Sequence, residues 1–386
     1  MKLIAGSLAL IVGINLICTN AASAKFAQEQ IRQVPISRLL KNLEGQRADA
    51  SGATDRAMVD FRLGRLHAMA YARGVEVGPC KAAALPGSRF ELPEFGHTPD
   101  HIQFQVEKKY LTPQAKSHLK KAIEHMQAAI KMDPELLTAK LGLAWCFEQS
   151  GDKAKAIALY KEVFSSAFDY EKHSKGGMYN WSITLETAEY LQKLLDPVKD
   201  KKELEQMKTK VAEIEKLPRY VTPIMIPLYS SCTLNDLVVE RNVQFDLDGF
   251  GARKYSKWLS PKAAWLVFDA ESSGRIDSGI QLVGQSSFWV FWRDGFEVMR
   301  GLDDDKDGKL TGEELSGMAL WHDSNCNGIS ERGEVRPLAD FGIKELINTS
   351  QRHDSGILWN SQGVVYKDGS TAPSFDLVLP GERIGD

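Results

Sequence analysis

Apolar and polar residues are distributed along this chain in three different ways. Residues 3–18 are largely apolar. From there to about residue 216 the chain reads as helices. Beyond that point come strand signals, Gly-rich turns and six of the eight tryptophans. The seam falls at Leu217-Pro218 and Thr222-Pro223-Ile224-Met225-Ile226-Pro227, because each proline drives its predecessor out of the helical region. Within the helical half, the pattern predicts one helix around Leu63-Gly64-Arg65-Leu66-His67, helix pairs over 115–167, and further helices at Thr184–Leu195 and Lys202–Lys216. Residues 73–109, with Gly, Pro and scattered aromatics, read as a long insertion. Near the end, Tyr366-Lys367-Asp368-Gly369-Ser370 reads as a turn between closing strands. A length of 386 residues and 43% hydrophobic content suffice for two packed domains. The expectation is therefore a multidomain chain: an all-α half over 25–216 and an α+β unit over 217–386.

The first stretch has the form of an export signal. Lys2 precedes the apolar run, and Ala22-Ser23-Ala24 has the small-x-small pattern of a cleavage site. A lipoprotein reading at Cys18 is disfavoured by the bulky Ile17 before it. Cleavage after Ala24 predicts an exported protein, periplasmic or secreted, and no second long apolar run predicts a membrane span. Loss of Lys2 moves the net charge from −3 to −4. That balance offers no basic stripe to neutralise phosphates and argues against a nucleic-acid partner. Cys80, Cys146, Cys232 and Cys326 then remain, too few for a disulfide scaffold. Cys146 falls on an expected core helix and Cys326 inside an acidic loop, so Cys80–Cys232 is the least implausible pair.

Two acidic segments carry the clearest chemistry. Asp303-Asp304-Asp305-Lys306-Asp307-Gly308-Lys309-Leu310-Thr311-Gly312-Glu313-Glu314 is followed by Asp323-Ser324-Asn325-Cys326-Asn327-Gly328-Ile329-Ser330-Glu331-Arg332-Gly333-Glu334. Each has oxygen side chains at positions 1, 3, 5 and 9 of twelve, Gly at 6 and Glu at 12, the spacing of an EF-hand calcium loop. Calcium is a hard cation that takes six to eight oxygens, and alternate residues of a short loop can wrap it. The expected ligands are Asp303, Asp305, Asp307, the Lys309 carbonyl, Thr311 and Glu314 in the first loop. In the second they are Asp323, Asn325, Asn327, the Ile329 carbonyl, Glu331 and Glu334. The first set holds four carboxylates and the second three, which predicts tighter binding at the first. Leu315–His322 is expected to form one short helix shared by both loops, and that favours static binding over switching.

Other segments resemble known families. Ala122 and Ala156 recur at a period of 34, with Ala129, Pro134, Leu143, Ala144, Phe147, Gly151 and Tyr160 between or beside them. This resembles the tetratricopeptide repeat over roughly 115–167, which implies a helical scaffold able to bind a protein partner. Lys140 and Phe168 depart from the pattern. Phe245-Asp246-Leu247-Asp248-Gly249-Phe250-Gly251, Trp265–Asp277, Gln281-Leu282-Val283-Gly284 and Leu338–Ile343 surround the two loops. The string over 240–380 resembles a calcium module of bacterial exported proteins, some related to repeats-in-toxin proteins. It also resembles secreted proteins that join this module to a tetratricopeptide half. The resemblance suggests weaker metal candidates at Asp269, Glu271, Ser273 and Asp277, and at Asp246 and Asp248. The first of these loops lacks a closing carboxylate, because Ile280 and Gln281 stand there, and Phe250 interrupts the second. Two calcium sites are expected, with a third conceivable.

The run Phe288-Trp289-Val290-Phe291-Trp292 is expected in the core, holding a metal loop in place, rather than on an exposed interface. His97 and His101 lie four apart in a Gly/Pro-rich setting that does not suit a shared helix face. No nucleophile elbow, zinc-protease helix, Walker loop or dinucleotide pattern occurs, so no enzymatic activity is expected. The leading expectation is calcium that stiffens a scaffold for protein interaction. A calcium-dependent extracellular hydrolase and a calcium-responsive sensor are the alternatives.

Overall fold

A computed structural model of the chain describes residues 34–73, 112–173, 182–217, 219–229, 232–249 and 253–381. The expected export signal, nearly all of the 73–109 insertion, Cys80, His97, His101 and Phe250 lie outside the described residues. Among these residues the chain is helical first and β-rich afterwards. The helices are α1 (Ile36–Asp49), α2 (Ala53–Arg73), α3 (Pro113–Met132), α4 (Leu137–Gln149), α5 (Lys153–His173), α6 (Ile183–Leu194) and α7 (Lys201–Ile214). Consecutive helices pack on one another. Thr112 caps α3 by accepting from the Ala115 amide, and Pro113 occupies the first turn, where its missing N–H costs nothing.

The small residues of the repeat do what their size suggests. Ala122, Ala129 and Ala156 are fully buried. A Cβ built on Gly142 would lie 2.6 Å from Cε of Met126, and one on Gly64 3.0 Å from it, so α2, α3 and α4 meet around that methionine. Lys140 forms an ion pair with Glu162 at 2.6 Å. Phe168 packs with Leu185 and Ile214.

The second half is built on a nine-stranded antiparallel sheet. Its strands are β2 (Ile224–Pro227), β5 (Ala263–Phe268), β6 (Lys309–Thr311), β7 (Met318–Trp321), β8 (Val335–Pro337), β9 (Ile343–Ile347), β10 (Gln351–Arg352), β11 (Leu358–Tyr366) and β12 (Thr371–Asp376). They run in the order β6-β9-β11-β12-β2-β5-β7-β8, with β10 on β11. Two further pairs join β1 (Arg219–Val221) to β13 (Leu379–Gly381) and β3 (Val238–Phe245) to β4 (Lys254–Leu259). One more helix, α8 (Gly295–Leu302), leads into the first acidic loop.

The connection between the two loops corrects the sequence reading. Leu315–His322 is not a helix: Gly317 adopts φ +81° and Met318–Trp321 form β7, which lies between β5 and the edge strand β8. All four residues of β7 are buried, and a continuous apolar run of that length suits a covered strand better than a helix with one wet face.

Phe288–Trp292 is core, as expected, with every residue at most 2% exposed. It packs against Phe268 of β5 and against the end of α8, where a Cβ on Gly301 would lie 2.6 Å from Trp292, and it also meets the helical half. The Arg65 guanidinium of α2 donates to the Trp289 carbonyl at 2.9 Å and lies 4.3 Å from the Phe291 ring centre. Arg62 lies 5.1 Å from that of Trp292. Phe288, Trp289 and Phe291 adopt φ of 57°, 56° and 59°, a region costly for bulky side chains, so the surrounding packing must hold them there. One apolar cluster runs through Leu39, Leu63 and Leu66 of the helices and Phe288, Phe296, Leu302 and Leu310 of the second half. Cys146 is buried on α4, and burial pushes its thiol up to about 12.

At the other end of α8, Asp294 caps the helix by accepting from the Glu297 amide at 2.8 Å. Asp376 of β12 accepts from the Gly295 amide at 3.0 Å. Burial raises the Asp376 pKa well above the ordinary carboxylate value, and the neighbouring Asp294 carboxylate raises it further. A carboxyl whose folded pKa exceeds its unfolded one contributes stability below the unfolded value and loses it as pH rises through the folded value. Asp376→Asn should therefore gain on the wild type as pH climbs, by about 1.4 kcal/mol per pH unit between the two pKa values. Denaturant melts of both proteins from about pH 4 to about pH 8 measure that difference.

Candidate metal centre

The two acidic loops fold alike. In each, the first carboxylate turns inward and accepts amides of its own loop. Asp303 accepts from Lys306 N at 2.6 Å and Gly308 N at 3.1 Å, and Asp323 from Asn327 N at 3.1 Å and Gly328 N at 2.7 Å. Position 3 accepts from the amide of position 5, through Asp305 and Asn325, at 3.1 Å in both. Position 5 accepts from position 7, through Asp307 to Lys309 and Asn327 to Ile329. The closing glutamate ties both ends. Glu314 takes the Asp304 amide at 2.6 Å and the Thr311 amide at 2.9 Å. Glu334 takes the Ser324 and Glu331 amides, each at 3.1 Å. Left-handed backbone falls at the same places, with φ 63° at Lys306 and 56° at Cys326, then 89° at Gly308 and 70° at Gly328. The glycine at position 6 is thus required by conformation.

The donor sets differ as their composition implies. Asp303, Asp305 and Asp307 bring one oxygen each within 4.8 Å of one another, an arrangement of hard oxygens that suits a divalent cation such as calcium. In the second loop the Asn325 and Asn327 amides donate to Glu331 at 3.0 and 3.2 Å. Asp303, Glu314 and Asp323 are all less than 10% exposed.

Each loop is braced differently. The N-terminal helix α1 holds the first with residues spaced four apart on one face. Arg38 donates to Asp304 and to the Leu302 carbonyl, both at 2.8 Å. Asn42 donates to the Gly301 carbonyl at 3.0 Å and to Asp304 at 2.8 Å, and Gln46 to the Arg300 carbonyl at 2.8 Å. The last carbonyls of α8, which have no partner within their own helix, are capped by another helix. Lys306 reaches Asp49 at 3.0 Å. From the sheet side, Asn348 donates to Asp303 at 2.7 Å and Lys309 pairs with Glu345 at 3.0 Å. Nothing in the sequence marked α1 as a partner of this loop.

The second loop rests on β4, whose Trp258 Nε1 donates to Asp323 at 2.6 Å. Trp258 packs edge-on against Trp265 and Trp321. Cys326 points its thiol at the Leu259 carbonyl, 3.3 Å away.

The two loops do not pair with each other at their eighth positions. At position 8, where neighbouring loops of this type meet, Leu310 pairs with Leu346 of β9. Ser330, position 8 of the second loop, exchanges hydrogen bonds with the Ile276 amide at 2.8 Å and carbonyl at 3.3 Å. Ile276 is position 8 of the weaker candidate loop, which is built to the same plan. Asp269 accepts from the Ser273 amide and hydroxyl and from Gly274 N at 2.8–2.9 Å, and Ser272 and Gly274 adopt φ 51° and 69°. Its closure differs. The Gln281 carboxamide accepts from the Asp277 amide at 2.9 Å, as a closing glutamate does, but its NH2 donates to the Arg275 carbonyl at 2.9 Å. That carbonyl is position 7, an oxygen a cation would use. Glu271 is the position-3 residue there. Asp246 and Asp248 are buried, and Asp246 accepts from the Ser278 hydroxyl at 2.6 Å.

Residues 115–173 match the tetratricopeptide repeat family, and residues 233–379 match the SPM domain. No EF-hand family matches. Among curated proteins, the Iron-regulated protein FrpA of Neisseria meningitidis serogroup C is 29% identical over 150 residues, which is 36% of this chain. The chain spans only 14% of that relative's length. No helix among the described residues is long and apolar enough to cross a membrane. The repeat match fits protein–protein interaction by the helical half.

Proposed function

We propose that the protein binds calcium at Asp303–Glu314 and Asp323–Glu334, and that the ions stiffen the second half for presentation on a partner-binding helical scaffold. The observation that carries this reading is the superposable hydrogen-bond plan of the two loops, with an oxygen at every position where calcium needs one. Clustered carboxylates repel each other, so a divalent charge among Asp303, Asp305 and Asp307 relieves a cost that the fold otherwise bears. The first loop also touches α1, so its ion acts where the halves meet. Export, by the N-terminal signal, brings the loops into compartments where sites of about 10⁻⁴–10⁻³ M fill. No catalytic role is assigned.

Calorimetric calcium titration tests the reading, run on the wild type, Glu314→Gln and Glu334→Gln with thermal melts alongside. Two sites are expected, the tighter lost in Glu314→Gln and the weaker in Glu334→Gln, with a melting temperature that calcium raises. The absence of binding up to about 10 mM, past the range of extracellular modules, would sink it. Gln281→Glu gives the complementary gain. It restores a carboxylate and frees the Arg275 carbonyl, so a third calcium equivalent should appear in the same titration.

A further inference from the structure

The loop Asp269–Gln281 closes on an amide where the two acidic loops close on a glutamate, and the amide stands in for an ion. The Gln281 carboxamide uses both of its ends. Its oxygen accepts from the Asp277 amide and its NH2 donates to the Arg275 carbonyl, each at 2.9 Å. A calcium ion would draw in that same position-7 carbonyl. Other oxygens of the loop are met in the same way. Asp269 takes the Ser273 hydroxyl at 2.8 Å, and the Arg275 guanidinium pairs with Asp277 at 3.2 Å. As it stands, the loop is complete without a metal.

This loop is also what the second acidic loop leans on. Ile276, 1% exposed, belongs to the apolar cluster that holds Val243, Trp258, Trp321 and Cys326. The peptide unit between Arg275 and Ile276 is held at both ends: Gln281 donates to its carbonyl, and the Ser330 hydroxyl accepts from its N–H at 2.8 Å. Ser330 donates in turn to the Ile276 carbonyl at 3.3 Å. A hydrogen bond to a peptide carbonyl polarises the unit and strengthens the bond that its N–H makes, so Gln281 and Ser330 act in series. Ser330 follows Ile329, and holding Ser330 therefore fixes the direction of the Ile329 carbonyl, position 7 of the second loop. In the first loop the corresponding place is taken by the main sheet, where Leu310 pairs with Leu346.

We propose that Asp269–Gln281 is a metal-independent partner loop, and that Gln281 and Ser330 are positioning residues that set the calcium affinity of Asp323–Glu334 while leaving Asp303–Glu314 unaffected. The inference rests on the reading of Asp323–Glu334 as a calcium site. A carbonyl aimed before the ion arrives need not be ordered when it binds, and such pre-organisation is read as affinity.

The test uses the full chain carrying Glu314→Gln, in which the second loop alone is left to titrate. Calcium is titrated by calorimetry into this parent and into the parent with Ser330→Ala, Ser330→Thr or Gln281→Met. Binding is expected to weaken about three- to tenfold in Ser330→Ala and in Gln281→Met, and to stay near the parent in Ser330→Thr, which keeps the hydroxyl. Equal affinity in the parent, Ser330→Ala and Gln281→Met overturns the proposal and leaves the calcium reading standing. No binding by the parent overturns both. Should a variant not fold, amide hydrogen exchange of the unaltered protein decides. The Ile276 and Asp277 amides are expected to be protected equally in chelator and in calcium. Free exchange at both until calcium is added overturns the metal-independent loop.

Discussion

Glu297→Gln is expected to destabilise the protein by about 3–5 kcal/mol, the usual cost of removing one partner from a buried ion pair. Glu297, at the first turn of α8, is 4% exposed and holds Arg62 of α2, itself 2% exposed. It also accepts from Arg293 Nε at 2.6 Å, and Arg293 reaches on to Asp55 of α2 at 3.0 Å. Burial alone would raise the Glu297 pKa, but the Arg62 and Arg293 guanidiniums outweigh it and hold the carboxyl at about 2. With glutamine in its place, Arg62 keeps its charge beside Trp292 without the carboxylate it contacts. Arg62→Met should cost less, because Arg293 still neutralises Glu297. Urea unfolding of the two variants and their double mutant measures the coupling. The sign with pH follows from a depressed carboxyl. The pair's contribution is present above the unfolded carboxylate pKa and lost as pH falls through about 2, so the gap between variant and wild type should close in strong acid.

Gly279→Ala should cost about 3 kcal/mol, the upper end of overpacking penalties, because the obstacle is backbone. A Cβ there would sit 1.8 Å from the Leu247 carbonyl oxygen and 2.4 Å from its carbon, while the Gly279 amide donates to the Asp246 carbonyl at 2.6 Å. Neither segment can retreat without releasing that bond and the Ser278–Asp246 contact beside it. Gly274→Ala, where a Cβ meets nothing within 4 Å, should cost less despite its φ of +69°. Thermal melts of the two variants separate close approach from backbone conformation.

Much of the fold was legible because its periodicities are local. The alanines of the repeat, the proline seam after Leu217 and the twelve-residue oxygen spacing each express a constraint met within a few turns of chain. The buried aromatic run was legible as core for the same reason. Its neighbours were not, since nothing in Phe288–Trp292 says that Arg62 and Arg65 will cover it. The segment between the acidic loops was misread as helix because eight residues carry too little periodicity to choose. Gly317 and the fully covered position of β7 decided the matter. Sequence order also says nothing of what each loop lies against: the sheet seats Leu310 against β9 and Ser330 against Ile276. The switched closure at Gln281 was visible only as a missing carboxylate, and its hydrogen bond to Arg275 needed coordinates.

The clasp of α1 on the end of α8 has a consequence for how the chain folds. Arg38 bonds to Asp304 and Leu302 across separations of 266 and 264 residues, and Asn42 and Gln46 reach almost as far. Contacts so distant along the chain close late, since loop entropy must be overcome before they stabilise anything. During synthesis from the N-terminus, α1 emerges some 250 residues before the carbonyls it caps. Until then its Arg38, Asn42 and Gln46 face solvent, and the last turn of α8 stays frayed until they arrive. The first acidic loop, which begins where α8 ends, is therefore among the last parts of the molecule to reach its final shape.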